Sequence, residues 1–480
     1  MSAVDRRRAT TAVILATCGA SLGGFMFGFD TAVVNGTVDA VEREFAIGPA
    51  LLGTIVAAAL FGAAVGAFTA GRVTNRLGRR TTMFLAGALF LATSVLSALA
   101  HTGTELAVWR LLGGVGVGTA SVVGPLYIAE IAPAQLRGRL ASAQQMSIVL
   151  GIFAALVCNA SLVGAAGGAD QVLGAGLPAW RWMFLVGAVP SLAYALAAVA
   201  LPESPRYLVA LGRDYAARRV LQRLHRIPEP QAEHDIAAIA AALNPPNPAS
   251  PPDLANPASG GLSPERTMLR RLPRIIWIGM AIAALQALVG IDVIFYYSTS
   301  LWAQVGFGDE FSFWLSAFTS LVNVVATTVA IALIDRIGRR RLLLGGSIGM
   351  TGALTVMAVG LSQAHEVGDA VSFTDGWGVV TLLAANVFVV AFAVSWGPVV
   401  WVLLGEMFPT RLRAQGASLA ACANWVAGIL VNLTFPTLRE LSVPGSYSLY
   451  ACFAAASFAL VFIALPETGN RPLEEITDNH

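Results

Sequence analysis

The sequence predicts an all-α membrane protein: twelve transmembrane helices in two pseudo-symmetric six-helix halves, with short intracellular helices between the halves. Three observations carry this expectation. Of 480 residues, 56% are hydrophobic and only 12% charged, about half the charged share of an ordinary soluble protein. Apolar runs of the about 20 residues that a membrane span needs recur twelve times. The second six runs also carry motifs that repeat those of the first six.

The runs lie at about 12–34, 51–70, 82–100, 106–128, 141–162, 182–200, 275–302, 311–333, 342–361, 378–404, 418–434 and 448–465. They divide the chain into a first half, 1–202, an intervening polar segment, 203–274, a second half, 275–465, and a tail, 466–480. Within the polar segment, 207–226 and 231–243 have the pattern of amphipathic surface helices. The stretch from Asn244 to Ser263 is a Pro/Asn/Ser linker. The basic start, Arg6-Arg-Arg8, precedes a long glycine-rich run and reads as an uncleaved first helix rather than a signal peptide.

All thirty basic residues are arginine. All but Arg43, Arg110, Arg181 and Arg439 fall at the termini or in loops on one side of the twelve-span topology. The positive-inside rule makes that side, and both termini, cytoplasmic. The four cysteines, Cys18, Cys158, Cys422 and Cys452, are scattered through apolar segments and read as small packing residues. The 48 glycines suit close helix contacts in lipid.

The internal repeat is specific. Asn75-Arg-Leu-Gly-Arg-Arg80 recurs as Asp335-Arg-Ile-Gly-Arg-Arg340, and Glu130-Ile-Ala-Pro-Ala-Gln-Leu-Arg137 as Glu406-Met-Phe-Pro-Thr-Arg-Leu-Arg413. Phe27-Gly-Phe-Asp30 is echoed by Val289-Gly-Ile-Asp292. Duplicated halves place a solute site at their interface near the bilayer midplane and permit rocking between two access states. Asp30 stands inside the first apolar run, where an ionisable group is costly and marks a functional site by default. Its best partner is Arg110, near the start of the fourth run. The alternative is that Asp30 ends its span and reaches the headgroups.

Several further motifs complete the set: Pro125-Leu-Tyr-Ile-Ala-Glu130 with Arg137-Gly138, Pro202-Glu-Ser-Pro-Arg206, Gly397-Pro-Val-Val-Trp401 and Pro466-Glu-Thr468. In this order they resemble the sugar porter family of the major facilitator superfamily over nearly the whole chain. The stretch from Gly290 to Ser298, with Trp302, is most similar to bacterial glucose–proton symporters. The resemblance implies the major facilitator fold and a proton-coupled symporter of a sugar, a glucose-like hexose. A facilitative uniporter or a non-transporting sugar sensor is the alternative. It implies that Asp30 and Arg110 couple the proton. It also implies that Gln145, Gln286, Asn323 and Asn424 bind sugar hydroxyls, with walls from Phe27, Tyr297 (or Tyr296), Phe392, Trp401 and Trp425. Ala287 and Asp292 replace a glutamine and an asparagine of the family pattern, so Asp292 joins the substrate-binding set with its role open. A cytoplasmic latch is implied among Arg79, Arg80, Glu130, Arg137, Glu203, Arg339, Arg340, Glu406 and Arg413.

No Walker loop or HExxH occurs in the chain, so no enzyme activity, metal or cofactor is expected, and a proton gradient supplies the energy. The expected partners are a sugar, protons and the bilayer, with no nucleic acid, and the working unit is a monomer. The expected location is a bacterial inner membrane.

Overall fold

In a computed structural model, residues 3–132, 137–225, 227–243, 273–304, 308–367, 370–373, 376–408 and 413–465 are described. Among them, twelve helices are long and apolar enough to cross a membrane. Spans 1–6 are Thr11–Gly36, Pro49–Leu77, Arg79–Ala98, Gly103–Ile131, Ala143–Ala166 and Ala179–Ala200. Spans 7–12 are Arg274–Thr299, Glu310–Ile334, Arg339–Ser362, Trp377–Leu404, Leu419–Leu441 and Val443–Ala464. Helices dominate because lipid offers no partner for a backbone N–H or C=O, so each span must satisfy its own.

Lipid tails are as apolar as leucine, so helices in a bilayer join by close backbone approach rather than by hydrophobic burial. Spans 2 and 4 show it. A Cβ on Gly62 would lie 1.9 Å from the Leu111 carbonyl oxygen, and one on Gly114 2.0 Å from that of Ala59. Gly66 and Gly118, one turn on, repeat the contact against Val115 and Ala63. The obstacle is backbone, so the helices would have to separate. Gly114→Ala is therefore expected to cost at least the about 1–3 kcal/mol of an overpacked core, and Gly71→Ala, with nothing within 4 Å, almost nothing. Thermal melting in detergent checks both.

The spans agree with the sequence reading, and three of them are interrupted. Span 6 pauses at Gly187, between Ala179–Val186 and Ala188–Ala200. Span 7 stops at Leu288 and restarts at Ile291, with Gly290 at φ +82°. Such a backbone angle is readily open to glycine and strained for other residues. Span 10 breaks at Ser395, between Trp377–Val394 and Trp396–Met407. The expectation of two intracellular helices is corrected to three among the described residues: Pro205–Ala210, Asp214–His225 and Glu229–Leu243. The turn at Leu211–Arg213, closed by Arg213 N–H donating to Leu208 O at 2.8 Å, divides the first stretch. Two short hairpins, Val172–Gly174 with Leu177–Pro178 and Ala364–Val367 with Ala370–Phe373, had no signal in the helical pattern.

The halves meet along spans 2 and 11 and along spans 5 and 8, and the second piece of span 7 packs on the end of span 1.

Candidate functional site

The ion pair expected from sequence is formed. Arg110 Nη1 donates to Asp30 Oδ1 at 2.5 Å, and the residues are 3% and 7% exposed. A carboxylate can lie this deep because span 5 crosses span 1 at backbone distance: a Cβ on Gly28 would sit 1.9 Å from Ile148 O, and one on Gly151 2.1 Å from Phe25 O. The Arg110 guanidinium carbon lies 5.8 Å from the Phe184 ring centroid. Its Nε and Nη2 have no hydrogen-bond partner among the described residues. The pair is single-pronged, not the two-pronged fork that gives arginine–carboxylate pairs their strength. Asp30 therefore does not satisfy Arg110.

In the second half, the amides bond each other and backbone carbonyls of span 7 and of span 10 beside its break. Gln286 Nε2 donates to Trp396 O at 3.2 Å, and Asn424 Nδ2 to Gln286 Oε1 at 2.7 Å and to Ala283 O at 2.8 Å. Gln286 and Asn424 thus form one unit, held by each other. Asn323 is 6% exposed on span 8, and Gln145 is partly buried on span 5. Phe27 of the first half meets Trp425 of the second, ring centroids 5.8 Å apart. Phe392 is partly buried beside the break, and the Trp401 side chain is 40% exposed. Tyr297 is 2% exposed and packs on Phe435 at 4.9 Å. Tyr296, equally buried, has Thr31, the ion pair and Asp292 as neighbours.

At the arginine-poor end, one residue joins the halves. Asn35 Nδ2 donates to Phe295 O at 3.0 Å and to Ser298 Oγ at 2.8 Å. Its Oδ1 accepts from Thr299 N at 3.2 Å, and its carbonyl accepts from Thr299 Oγ1 at 2.7 Å. Ser298 Oγ donates onward to Ser316 Oγ of span 8 at 2.7 Å. At the rim, Glu42 of the short helix Val38–Phe45 faces Arg439 and Glu440 of span 11. Burial raises its carboxyl above the ordinary range, and Arg439 opposes that shift.

At the arginine-rich end, Arg79 forms a fork with Glu130, Nε to Oε2 at 2.9 Å and Nη2 to Oε1 at 2.8 Å. Glu203 accepts from the backbone N–H of Arg79 at 3.0 Å and of Ser204 at 2.8 Å. Arg80 reaches Val199 O at 2.6 Å, and its repeat counterpart Arg340 reaches Phe462 O at 2.9 Å. Likewise Arg79 and Arg339 approach Thr74 O and Ile334 O. The Arg79–Glu130 pair lies within the first half, with Glu203 at the start of the polar segment, and the pair is buried, at 9% and 7% side-chain exposure. It braces spans 3 and 4 to the intracellular helices. Arg79→Ala strands Glu130 and is expected to cost about 3–5 kcal/mol, read as a lowered melting temperature.

With this geometry in view, the comparisons decide the class. A family model described as "Sugar (and other) transporter" matches residues 16–479. The chain belongs to this family. It is 44% identical to a "Glucose transport protein" from Synechocystis sp., over 97% of each chain. The inward-open structure of the xylose transporter XylE from E. coli superposes with a TM-score of 0.79 at 30% identity, covering 97% of this chain and 99% of that one. XylE described as a proton:xylose symporter and bound to 6-bromo-6-deoxy-D-glucose gives 0.74 at 30% identity, covering 97% and 98%. The protein is a multi-pass membrane transporter, not an enzyme.

Within this transporter, the structure brings together Asp30 with Arg110, Gln286 with Asn424, Phe27 with Trp425, and Arg79 with Glu130 and Glu203. The side chains of Arg137, Glu406 and Arg413 lie outside the described residues. Asn35 escaped the sequence reading. Its signal was a polar amide at the inner edge of an apolar run, the same signal that picked out Gln286 and Asn424.

Proposed function

We propose that the protein carries a sugar, a glucose-like hexose, into the cell together with a proton, by alternating access between its two halves. The observation that carries the reading is the buried Asp30–Arg110 pair with its unfilled arginine donors. While Asp30 is ionised, the pair ties span 1 to span 4. A proton on Asp30 removes the attraction and frees Arg110, so the two spans can shift as the halves rock. Sugar hydroxyls both donate and accept, which suits amides. Gln286 and Asn424, now bonded to each other, would turn to the sugar, with Gln145 and Asn323 from neighbouring spans. Phe27 and Trp425 close over the apolar faces from opposite halves.

The arginine-rich end is assigned to the cytoplasm, which puts both termini there and makes the Asn35 contact the extracellular gate, here closed. The likeness to an inward-open relative supports that assignment. A bacterial inner membrane, a single chain as the working unit and independence from any cofactor complete the reading.

The test is radiolabelled glucose uptake by proteoliposomes with and without an inward proton gradient. Transient accumulation above equilibrium only with the gradient supports symport. Equilibration that ignores the gradient makes the protein a uniporter.

A further inference from the structure

The echo of Asp30 in the second half is Asp292, a second carboxyl within a span. It is partly buried, and among the described residues no cation neighbours it. It stands in the first turn of the second piece of span 7, Ile291–Gln304, directly after the break at Gly290. From span 11, Gly428 leaves it room, with Asp292 Oδ2 3.5 Å from where a Cβ would be, and the Asn432 side chain hydrogen-bonds to it. Asn432 is fully buried, and its Oδ1 has no donor among the described residues. From span 12, Tyr450 packs its ring on Gly290, and its buried hydroxyl also lacks a partner. Across Tyr296 lie Asp30 and Arg110, already paired with each other. Arg439 stands near Tyr297 and Glu42 instead.

The Asn432 side chain can donate to the carboxylate, but its amide oxygen, itself an acceptor, gains no donor from a carboxylate. A carboxylic acid O–H supplies the missing donor. A lone charge is also costly inside a bilayer, and the partial charge of a helix N-terminus is a smaller effect. The same piece of span 7 carries Phe295, Ser298 and Thr299, the residues that bond Asn35 across the gate. We propose that Asp292 is a second proton-binding group, and that extracellular gate closure requires its proton. With the gate open, the carboxyl takes its proton from extracellular water. The half-helix then swings about Gly290, Asp292 seats neutral beside Asn432, and Phe295–Thr299 dock on Asn35. The proposal rests on the orientation given above, and its test does not depend on sugar movement.

The probe is alkylation of Ser316→Cys, a position 1% exposed behind the gate, by a membrane-impermeant maleimide added outside. The four native cysteines are replaced by serine, and Glu42→Gln removes the rim carboxyl. Three chains are compared from about pH 5 to pH 9, a range that spans ordinary and displaced carboxyl groups: Asp292, Asp292→Asn and Asp292→Glu. Comparison between chains cancels the thiol's own pH dependence. The ratio of labelling rates, Asp292 to Asp292→Asn, is expected to rise about ten-fold with pH as the charged gate opens. Asp292→Glu is expected to keep a rise of its own. A ratio that stays constant across the range overturns the proposal. Absence of proton-driven glucose accumulation in the uptake assay overturns the transport reading separately.

Discussion

Asp30→Asn is expected to abolish proton-driven sugar accumulation while leaving counterflow exchange intact. Asparagine is close to the shape of a protonated aspartate, so the substitution mimics the loaded state and removes only the ability to lose the proton. Arg110 then keeps a neutral acceptor for its N–H, which reduces but does not remove the about 3–5 kcal/mol penalty of an uncompensated buried charge. Asp30→Ala and Arg110→Ala lack that protection, and each is expected to lower stability as well as transport. Counterflow by Asp30→Asn, measured beside uptake under an imposed gradient, separates coupling from binding. Loss of both activities in a well-folded variant would mean that Asp30 holds the site together rather than carrying the proton.

Asn35→Ala is expected to shift the balance between access states toward the outward-open form. The side chain makes three cross-half hydrogen bonds, to Phe295 O, Ser298 Oγ and Thr299 N. At about 0.5–1.5 kcal/mol each, their loss amounts to about 2–3 kcal/mol, or about a hundred-fold in the equilibrium. Spin labels on Ala50 and Leu441, one on each half and both exposed at this end, would report the change by electron–electron double resonance. The variant should show a longer distance population than the unmodified gate. An unchanged distribution would mean that the contacts of span 2 with span 11 and of span 5 with span 8 hold this end closed without Asn35.

The spans were legible in the sequence because length and apolarity are the requirements a bilayer imposes, and the arginines marked their sides. The Asp30–Arg110 pair was legible for a related reason: a charge in lipid needs a counter-charge, and few candidates existed. The breaks in spans 7 and 10 were not. Glycine is common throughout this chain, so Gly290 looked like Gly279 or Gly349 until its backbone angle was known. The Gln286–Asn424 unit was half legible: the amides stood out, but their mutual bond joins side chains of spans 7 and 11 and depends on how those spans pack. Asn35 bonds partly to backbone, at Phe295 and Thr299, and a backbone partner leaves no mark in side-chain identity. Arg79 and Glu130 were both named among the latch residues, whereas their pairing within one half is a property of packing that the motif does not carry.

The most direct test of the central claim is the proton itself. Glucose added outside lightly buffered proteoliposomes, with voltage clamped and no starting pH gradient, should draw protons inward with the sugar and make the external medium more alkaline, and Asp30→Asn should show sugar exchange without that change. Glucose entry by the unmodified protein with no change in external pH would contradict proton coupling and leave a sugar uniporter built around a structural ion pair.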